Sequence, residues 1–504
     1  MSATTTHDTP VADTTPDQLE TILAAAEAAA GAVAGSRHDE RARWIRAAAD
    51  ALDAAADDLV PVAMEESGLP EPRLRGEVGR SSGQLRMFAD ALEDGSLLEV
   101  IIDTADPQAK PVPRPDLRRM LVPLGPVLVF AASNFPFAFS VCGGDTASAL
   151  AAGCPVVVKA HPGHPRTSRL TAEVMARALT DAGAPEGTLG LVFGFETGVS
   201  ALRDPRVKAS GFTGSVPAGK ALHEVAANRD EPIPFYGELG SLNPVFVLPS
   251  AVEERGDAIA EGYVGSFTLG VGQFCTKPGL LFLPAGHGLQ EKLTSAADGV
   301  AAGTMLNERI HQGFAEGVSS LRDRAGLREW AQGKESGGQA SASLLQTTVP
   351  ELLEDADAVL EECFGPVSIV VEYADHDELL AGAAAFGGNL TATIHAEQRD
   401  KEQVSSLLPV LQERAGRVVW NGWPTGVAVS WAMHHGGPFP ATVGSIHTSV
   451  GVTAARRFQR PVCFQDTPQQ YLPKVLRDDN QAGISRRIDG RPTLDKVSAQ
   501  EETA

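Results

Sequence analysis

The stretch PVLVFAASNFPFAFSVCGGDTASALAAGCPVVVKAHPGHPRTSRL (126–170) decides the fold. Its two apolar runs, VLVFAAS (127–133) and PVVVKA (155–160), are Val-rich, bounded by Gly or Pro, and separated by the helix-compatible DTASALAAG (145–153). Short apolar strands alternating with helices predict a parallel sheet with helices on both faces. The pattern continues in GLVFG (190–194) and VKASGFTGS (207–215), with the helical SRLTAEVMARALTDAG (168–183) between. Such sheets bind ligands beyond the carboxyl ends of their strands, so the polar residues that close each run become site candidates.

Working outward, a second α/β pattern starts near Pro244 with PVFVLP (244–249), LLFLPA (280–285), PELLEDADAVLEECFGPVSIVVEY (350–373), TATIHA (391–396) and GRVVWNGWPTG (416–426). Two such units joined through GELGSLNP (237–244) leave a crevice between them. Upstream, 19–33 and 40–68 read as two helices, and GRSSGQLRMFADALEDG (79–95) as a third with Ser81 as its N-cap. The Pro-punctuated segment 101–125 reads as a projecting β ribbon, and the Gly/Ser/Gln-rich 330–346 as a surface loop. Met1–Asp13 reads as a disordered polar tail, and the chain beyond Gln465 as peripheral.

At 504 residues the chain exceeds one hydrophobic core, and two or three domains are expected. A formal charge of −22 argues against nucleic acid or an anionic membrane surface as partner. Five cysteines without a C-x-x-C pair fit a reducing cytosol and argue against structural zinc. The expected location is cytoplasmic, with no metal.

Four polar positions carry chemistry. Cys275, in GSFTLGVGQFCTKPG (265–279), follows a Gly-rich approach and precedes a Thr-Lys-Pro-Gly turn, which exposes a thiol nucleophile to a cleft; the bland alternative is a small buried hydrophobe. Asn134 closes the first strand and either stabilises the turn or donates to an oxyanion. Lys159 ends PVVVKA, as a solvated terminus or as a cation facing a ribose or phosphate. Glu238, between glycines and apolar residues, is either surface or a general base with a pKa raised towards neutrality. GFTGSVPAGKAL (211–222) supplies Gly214, Ser215 and Gly219 at a helix start, less than a full pyrophosphate fingerprint.

Taken together and in order, SNFPFAF, GCPVVVKAHP, GFTGS with Gly219, ELGSLNP, GQFCTKPG, EECFGP and WNGWPTG resemble the aldehyde dehydrogenase superfamily from about Leu19 to Gln465. GRSSGQLRMFA, the 142–168 segment and MHHGGPFPAT (433–442) resemble a narrower branch, the NADP-dependent α-ketoglutaric semialdehyde and fatty aldehyde dehydrogenases. The resemblance implies an α/β fold with a Rossmann-type cofactor domain, an α/β catalytic domain and a small β oligomerisation ribbon. It implies Cys275 as nucleophile, Asn134 and the Cys275 N–H as oxyanion donors, and Glu238 as base. It further implies Lys159 on the adenosine ribose, Glu362 and Phe364 on the nicotinamide ribose and ring, and Phe135, Phe139 and Phe274 along an aldehyde tunnel.

Three departures matter. Pro162 stands where the family usually has a Glu that repels a 2′-phosphate, so NADP is the preferred cofactor and NAD a possible one, with His161, His164 or Arg166 as phosphate contacts. Ser241 replaces a Gly beside the base. His435 matches a histidine that the branch places near the nucleophile, where it would lower the Cys275 pKa or relay a proton; the alternative is a turn-stabilising role. Lys277 either adds positive potential there or reaches solvent.

The expected division is a disordered tail at 1–14, a dinucleotide-binding domain at 15–104 and 125–240, and a catalytic domain at 241–443. Segments 105–124 and 444–480 bridge subunits of a homodimer or homotetramer, and 481–504 is a polar tail. The expected reaction is NAD(P)-dependent oxidation of an aldehyde, 2,5-dioxopentanoate foremost, to its acid through a Cys thiohemiacetal and thioester. A medium- or long-chain aliphatic aldehyde is the alternative substrate. An acyl-CoA-forming variant and a non-catalytic nucleotide- or partner-binding protein are the other readings.

Overall fold

The computed structural model describes residues 11–334 and 337–497; the rest of both expected tails, 1–10 and 498–504, lies outside the described residues. Three sheets organise the chain. The first has five parallel strands in the order Leu189–Val192, Val156–Lys159, Val127–Phe130, Ala209–Thr213, Phe235–Glu238. The chain starts at the centre, builds one side and then returns to build the other. Strand order therefore reverses between Val127–Phe130 and Ala209–Thr213, and the crevice at such a reversal is where α/β sheets take ligands. The four expected strands are present; Phe235–Glu238 is a fifth, which a run broken by Tyr236 and Gly237 had concealed.

The second sheet has seven strands in the order Arg328–Gln332, Ser343–Thr348, Val367–Tyr373, Leu280–Pro284, Val245–Val247, Asn389–His395, Ala415–Trp420. All neighbours are parallel except the first pair. That pair corrects the surface-loop reading of 330–346: its ends are strands, with Leu344 and Leu345 buried, and only the Gly/Ser-rich centre connects them. Phe246 and Phe282 stack at 4.7 Å inside this core.

The third sheet combines Ile101–Asp103 and Leu117–Pro123 with Gln459–Gln465, Arg486–Ile488 and Arg491–Thr493. The chain beyond Gln465 is thus partly built into a sheet. Fully buried Arg486 donates to the carbonyls of Arg477, Asp478 and Asp495 there. At the other end, Thr14 exchanges hydrogen bonds with Phe193, so the amino-terminal tail is attached from that residue onward.

The helical entry differs in two places. The 40–68 segment is two helices, His38–Ala54 and Ala56–Ser67, because the Ala-rich text at the break carries no packing signal. Ser81 is no N-cap: it lies buried inside one helix, Glu71–Glu93, whose Gly76, Gly79 and Gly83 face outward while Leu74, Val78, Leu85 and Phe88 are buried. Burial of that face outweighs the low helix propensity of glycine. Phe246→Ala should cost about 3–5 kcal/mol through the cavity it leaves. The check is a lower urea midpoint by circular dichroism; an unchanged midpoint would contradict the assigned core.

Candidate functional site

Cys275 lies in the loop that follows the helix Pro249–Thr268. A turn closed by the Lys277 N–H on the Phe274 carbonyl holds it, and that geometry leaves the Cys275 N–H without a hydrogen-bond partner among the described residues. Asn243 holds the loop from behind. Its φ of +50° lies in the left-handed region that Asn tolerates. Its amide donates to the carbonyls of Cys275 at 2.8 Å and Lys277 at 3.0 Å. Ser241 ties the same turn to the second sheet, its hydroxyl donating to Asn243 Oδ1 at 2.8 Å and accepting from the Leu390 N–H at 2.9 Å.

Glu238 ends the last strand of the first sheet, where the Leu239 N–H donates to Ala441 and the Val443 N–H to Gly237. These bonds dock the 433–449 segment onto the strand end and bring His435 into the crevice. His435 Nε2 stands 3.4 Å from Cys275 Sγ and 2.9 Å from Glu238 Oε1. The Ser449 hydroxyl donates to Glu238 Oε2, and Thr448 Oγ1 accepts from the His435 N–H. Three groups able to hold a proton thus face one another within 4.8 Å.

One sequence-based expectation about this cluster, a Glu238 pKa raised towards neutrality, reverses. Burial pushes the Glu238 pKa up, but His435 and the hydroxyl and thiol donors outweigh it and hold the carboxyl below its ordinary value. Burial and then the Glu238 charge push the Cys275 thiol well above its ordinary value, with Arg80 opposing them. The resting pair is therefore a carboxylate beside a neutral thiol.

Asn134 lies four residues past the strand Val127–Phe130 and is buried. Its amide donates to the Gln273 carbonyl at 3.1 Å, two residues before Cys275. An Asn amide has a second N–H, which leaves one donor for the site. Arg73 donates to the Asn134 carbonyl and lies over the Phe135 and Phe274 rings. Phe135 centres an aromatic cluster with Phe139 at 5.2 Å and Phe274 at 5.4 Å, so the three expected tunnel residues meet.

Lys159, Gly214, Ser215 and Gly219 gather at the carboxyl end of the first sheet, away from the thiol. Burial lowers the Lys159 pKa to about 8, and its ammonium lies 4.4 Å from the Phe195 ring centroid. Ser215 precedes the helix Val216–Ala227 without capping it, so first-turn N–H groups face the crevice. A Cβ on Gly219 would fall 2.1 Å from Leu239 Cδ2, so a larger residue there would make the Leu239 side chain shift beside the Glu238 turn. Glu362 accepts from the Ser241 N–H at 3.1 Å, and burial raises its pKa to about 7; Phe364, two residues on, is half-buried. An uncapped helix start, a buried ammonium and a carboxyl at the turn between the sheets fit a dinucleotide.

His164 and Arg166 are engaged elsewhere. Buried His164 bonds the Ala132 carbonyl and Ser168, and Arg166 pairs with Glu65 and Glu66. His161 stays beside Lys159, neutral, its pKa held at about 3 by burial and neighbouring cations. Lys277 is also buried and donates to the carbonyls of Cys363 and Val367, so it does not reach solvent.

Asn243, Ser449 and Arg80 are the residues that reading for chemistry alone passes over. Asn243 had a signal, an Asn before Pro in the turn after the base. Ser449 lies 211 positions from the carboxyl it serves and had none.

A crevice that fits a dinucleotide, joined to a half-buried thiol beside a buried imidazole and carboxylate, defines a cysteine-dependent oxidoreductase. Residues 2–452 match the model of the aldehyde dehydrogenase family, and the chain belongs to that family, enzymes that oxidise aldehydes with NAD(P). It is 44% identical over 480 residues to the alpha-ketoglutaric semialdehyde dehydrogenase of Acinetobacter baylyi, covering 94% of this chain and 91% of that one. It is 47% identical over 458 residues to alpha-ketoglutaric semialdehyde dehydrogenase 2 of Azospirillum brasilense, covering 90% and 87%. Among solved structures, aldehyde dehydrogenase 21 of Physcomitrella patens superposes with a TM-score of 0.76 at 22% identity, covering 91% of this chain and 92% of that one. This last likeness concerns the fold.

A thiol with a raised pKa is protonated at neutrality, so its thiolate fraction climbs about tenfold per pH unit until the pH meets that pKa. Alkylation of Cys275 by iodoacetamide, followed by peptide mass spectrometry, should keep rising beyond pH 9. Glu238→Gln, which removes the like charge, should move the curve to lower pH. A plateau below pH 8 would contradict the geometry's electrostatics.

Proposed function

We propose that this enzyme oxidises 2,5-dioxopentanoate to 2-oxoglutarate. The observation that carries the chemistry is the meeting of Cys275, His435 and Glu238, through contacts of 3.4 Å or less, at the mouth between the first and second sheets. The substrate reading is supported by the two relatives of 44% and 47% identity and by the cationic lining of the aromatic cluster.

In this reading the Cys275 thiol gives its proton to the His435–Glu238 pair as sulfur attacks the aldehyde carbon. The Cys275 N–H and the second Asn134 N–H hold the oxygen of the thiohemiacetal, as the absence of other partners for them suits. When bound, NAD(P) supplies the hydride acceptor that turns the thiohemiacetal into a thioester. Glu238, anionic and fixed by Ser449, then takes a proton from the water that hydrolyses the thioester. Lys159, Gly214, Ser215 and Gly219 hold the adenosine ribose and diphosphate, and Glu362 and Phe364 the nicotinamide ribose and ring.

NADP is the proposed preference, because Pro162 puts no carboxylate opposite a 2′-phosphate while Lys159 and Arg309 are the cations near His161. The proposed division gives 15–104 and 125–240 to the cofactor, 241–443 to the nucleophile, and 105–124 with 444–480 to subunit contacts in a cytoplasmic dimer or dimer of dimers. Supporting the assembly, Gln459–Gln465 and Ala415–Trp420 are sheet edges, and Trp420, Trp431, Phe439 and Ile446 are exposed. Among the described residues no helix is long and apolar enough to cross a membrane.

Initial rates of NADPH and NADH formation with 2,5-dioxopentanoate, succinic semialdehyde and hexanal test the substrate. The first should give the highest kcat/KM; hexanal ahead of it would favour the aliphatic alternative. Pro162→Glu should cut the NADP-to-NAD preference at least about tenfold, since juxtaposed like charges cost several kcal/mol. An unchanged ratio would contradict the assigned phosphate position. Light scattering should give the mass of a dimer or tetramer, and a monomer would overturn the assembly.

A further inference from the structure

A dicarbonyl acid carries a negative charge at the end opposite its aldehyde. No cation for it is evident in the linear sequence, because the site is built from segments far apart in the chain. Three arginines stand around the aromatic cluster and the thiol, and their partners separate them. Arg73 donates to the Asn134 carbonyl and pairs with Glu77 at 3.4 Å. Arg417 reaches across to donate to the carbonyls of Pro424 and Gly426, the latter in the segment whose Gly426 N–H donates to Thr276. Both are fixing backbone.

Arg80 is different. It lies on the helix Glu71–Glu93, mostly buried, with its guanidinium 5.4 Å from the Phe139 ring centroid and 5.9 Å from that of Phe135. Phe139 in turn stands 6.4 Å from His435, so Arg80 lies across one aromatic ring from the catalytic cluster. Among the described residues its guanidinium has no hydrogen bond and no ion pair, although Glu77 is on the same helix and feels its charge. Its charge is also felt at Cys275 and Glu238. Burial disfavours this cation, yet a guanidinium does not lose its proton at any working pH. A permanently charged, mostly desolvated fork of donors without a protein partner is a binding site for a planar anion.

We propose that Arg80 binds the distal carboxylate of the substrate, holding a short oxo-acid semialdehyde along Phe135 and Phe139 with its aldehyde at Cys275. This rests on the 2,5-dioxopentanoate reading and names the residue that makes the selection. The tilted and edge-on rings cover the carbon chain, and Arg80 sets the length at which charge is welcome. An alkanal of similar length fills the rings but leaves Arg80 unpaired, and a long one places methylenes against it. The specificity is therefore partly negative, by the cost of a buried charge left alone.

The test is the ratio of kcat/KM for 2,5-dioxopentanoate to that for pentanal, in wild type, Arg80→Met and Arg80→Lys. Losing one partner of a buried charged pair predicts a fall in that ratio of about 100-fold in Arg80→Met, mostly in the KM for the acid. Arg80→Lys, which keeps the charge but loses the fork, should fall between. Binding of 2-oxoglutarate, followed by isothermal titration without turnover, should weaken in the same order. A ratio within threefold of wild type in both variants would overturn the proposal, as would equal losses for the two substrates, which would make Arg80 a support of the fold or of the thiol. The wild-type ratio reports separately on the substrate reading: preference for pentanal would sink that reading, whatever the variants do.

Discussion

The organising constraint is that a thiol and a carboxylate share one crevice, with Glu238 buried and Cys275 half-buried. Two negative charges about 4–5 Å apart at an effective dielectric near 20 repel by about 3–4 kcal/mol, so Cys275 and Glu238 are not both ionised unless something positive joins them. His435 stands within reach of both, 3.4 Å from Cys275 Sγ and 2.9 Å from Glu238 Oε1. The carboxylate keeps its charge because His435 and Ser449 stabilise it, and the thiol keeps its proton because of burial and that charge. A nucleophile kept neutral until it reacts fits the proposed anionic substrate, which a resting thiolate would repel.

Holding that cluster takes contributions from both the first and the second sheet. Glu238 comes from the end of the first, Cys275 from a loop tied by Asn243 and Ser241 to the second, and His435 from a segment docked on the strand end of the first. Ser241 shows how a departure from the family's usual glycine is absorbed: its hydroxyl points away from the carboxyl and joins Asn243, Asn389 and Leu390. The crevice is therefore a consequence of how the two α/β units meet. Asn134, whose amide reaches the Gln273 carbonyl across 139 positions, makes the same connection from the other side.

Legibility followed the range of the interaction. Strands such as VVVK and LLFLP were readable because each is a local apolar run with a breaker at its end, and the polar residues ending those runs were found with them. Phe235–Glu238 was not, because its period is interrupted, and Ser343–Thr348 was hidden behind Gly/Ser-rich text. Ser81 looked like a cap because local propensity says nothing of a face buried by a neighbouring helix. The pKa direction of Glu238 was misjudged for a related reason: the imidazole and the hydroxyl that hold it down lie far along the chain, Ser449 at 211 positions. Arg80 was invisible as a site residue until the fold showed which arginines already had partners.

The central claim is covalent catalysis by Cys275 with Glu238 releasing the product. The direct measurement is peptide mass spectrometry of Glu238→Gln enzyme, acid-quenched after mixing with NADP and 2,5-dioxopentanoate. The account predicts a 2-oxoglutaryl thioester on the Cys275 peptide, accumulating with NADPH in roughly equal amounts. Formation of NADPH with Cys275 unmodified, or an acyl group on a different cysteine, would contradict it.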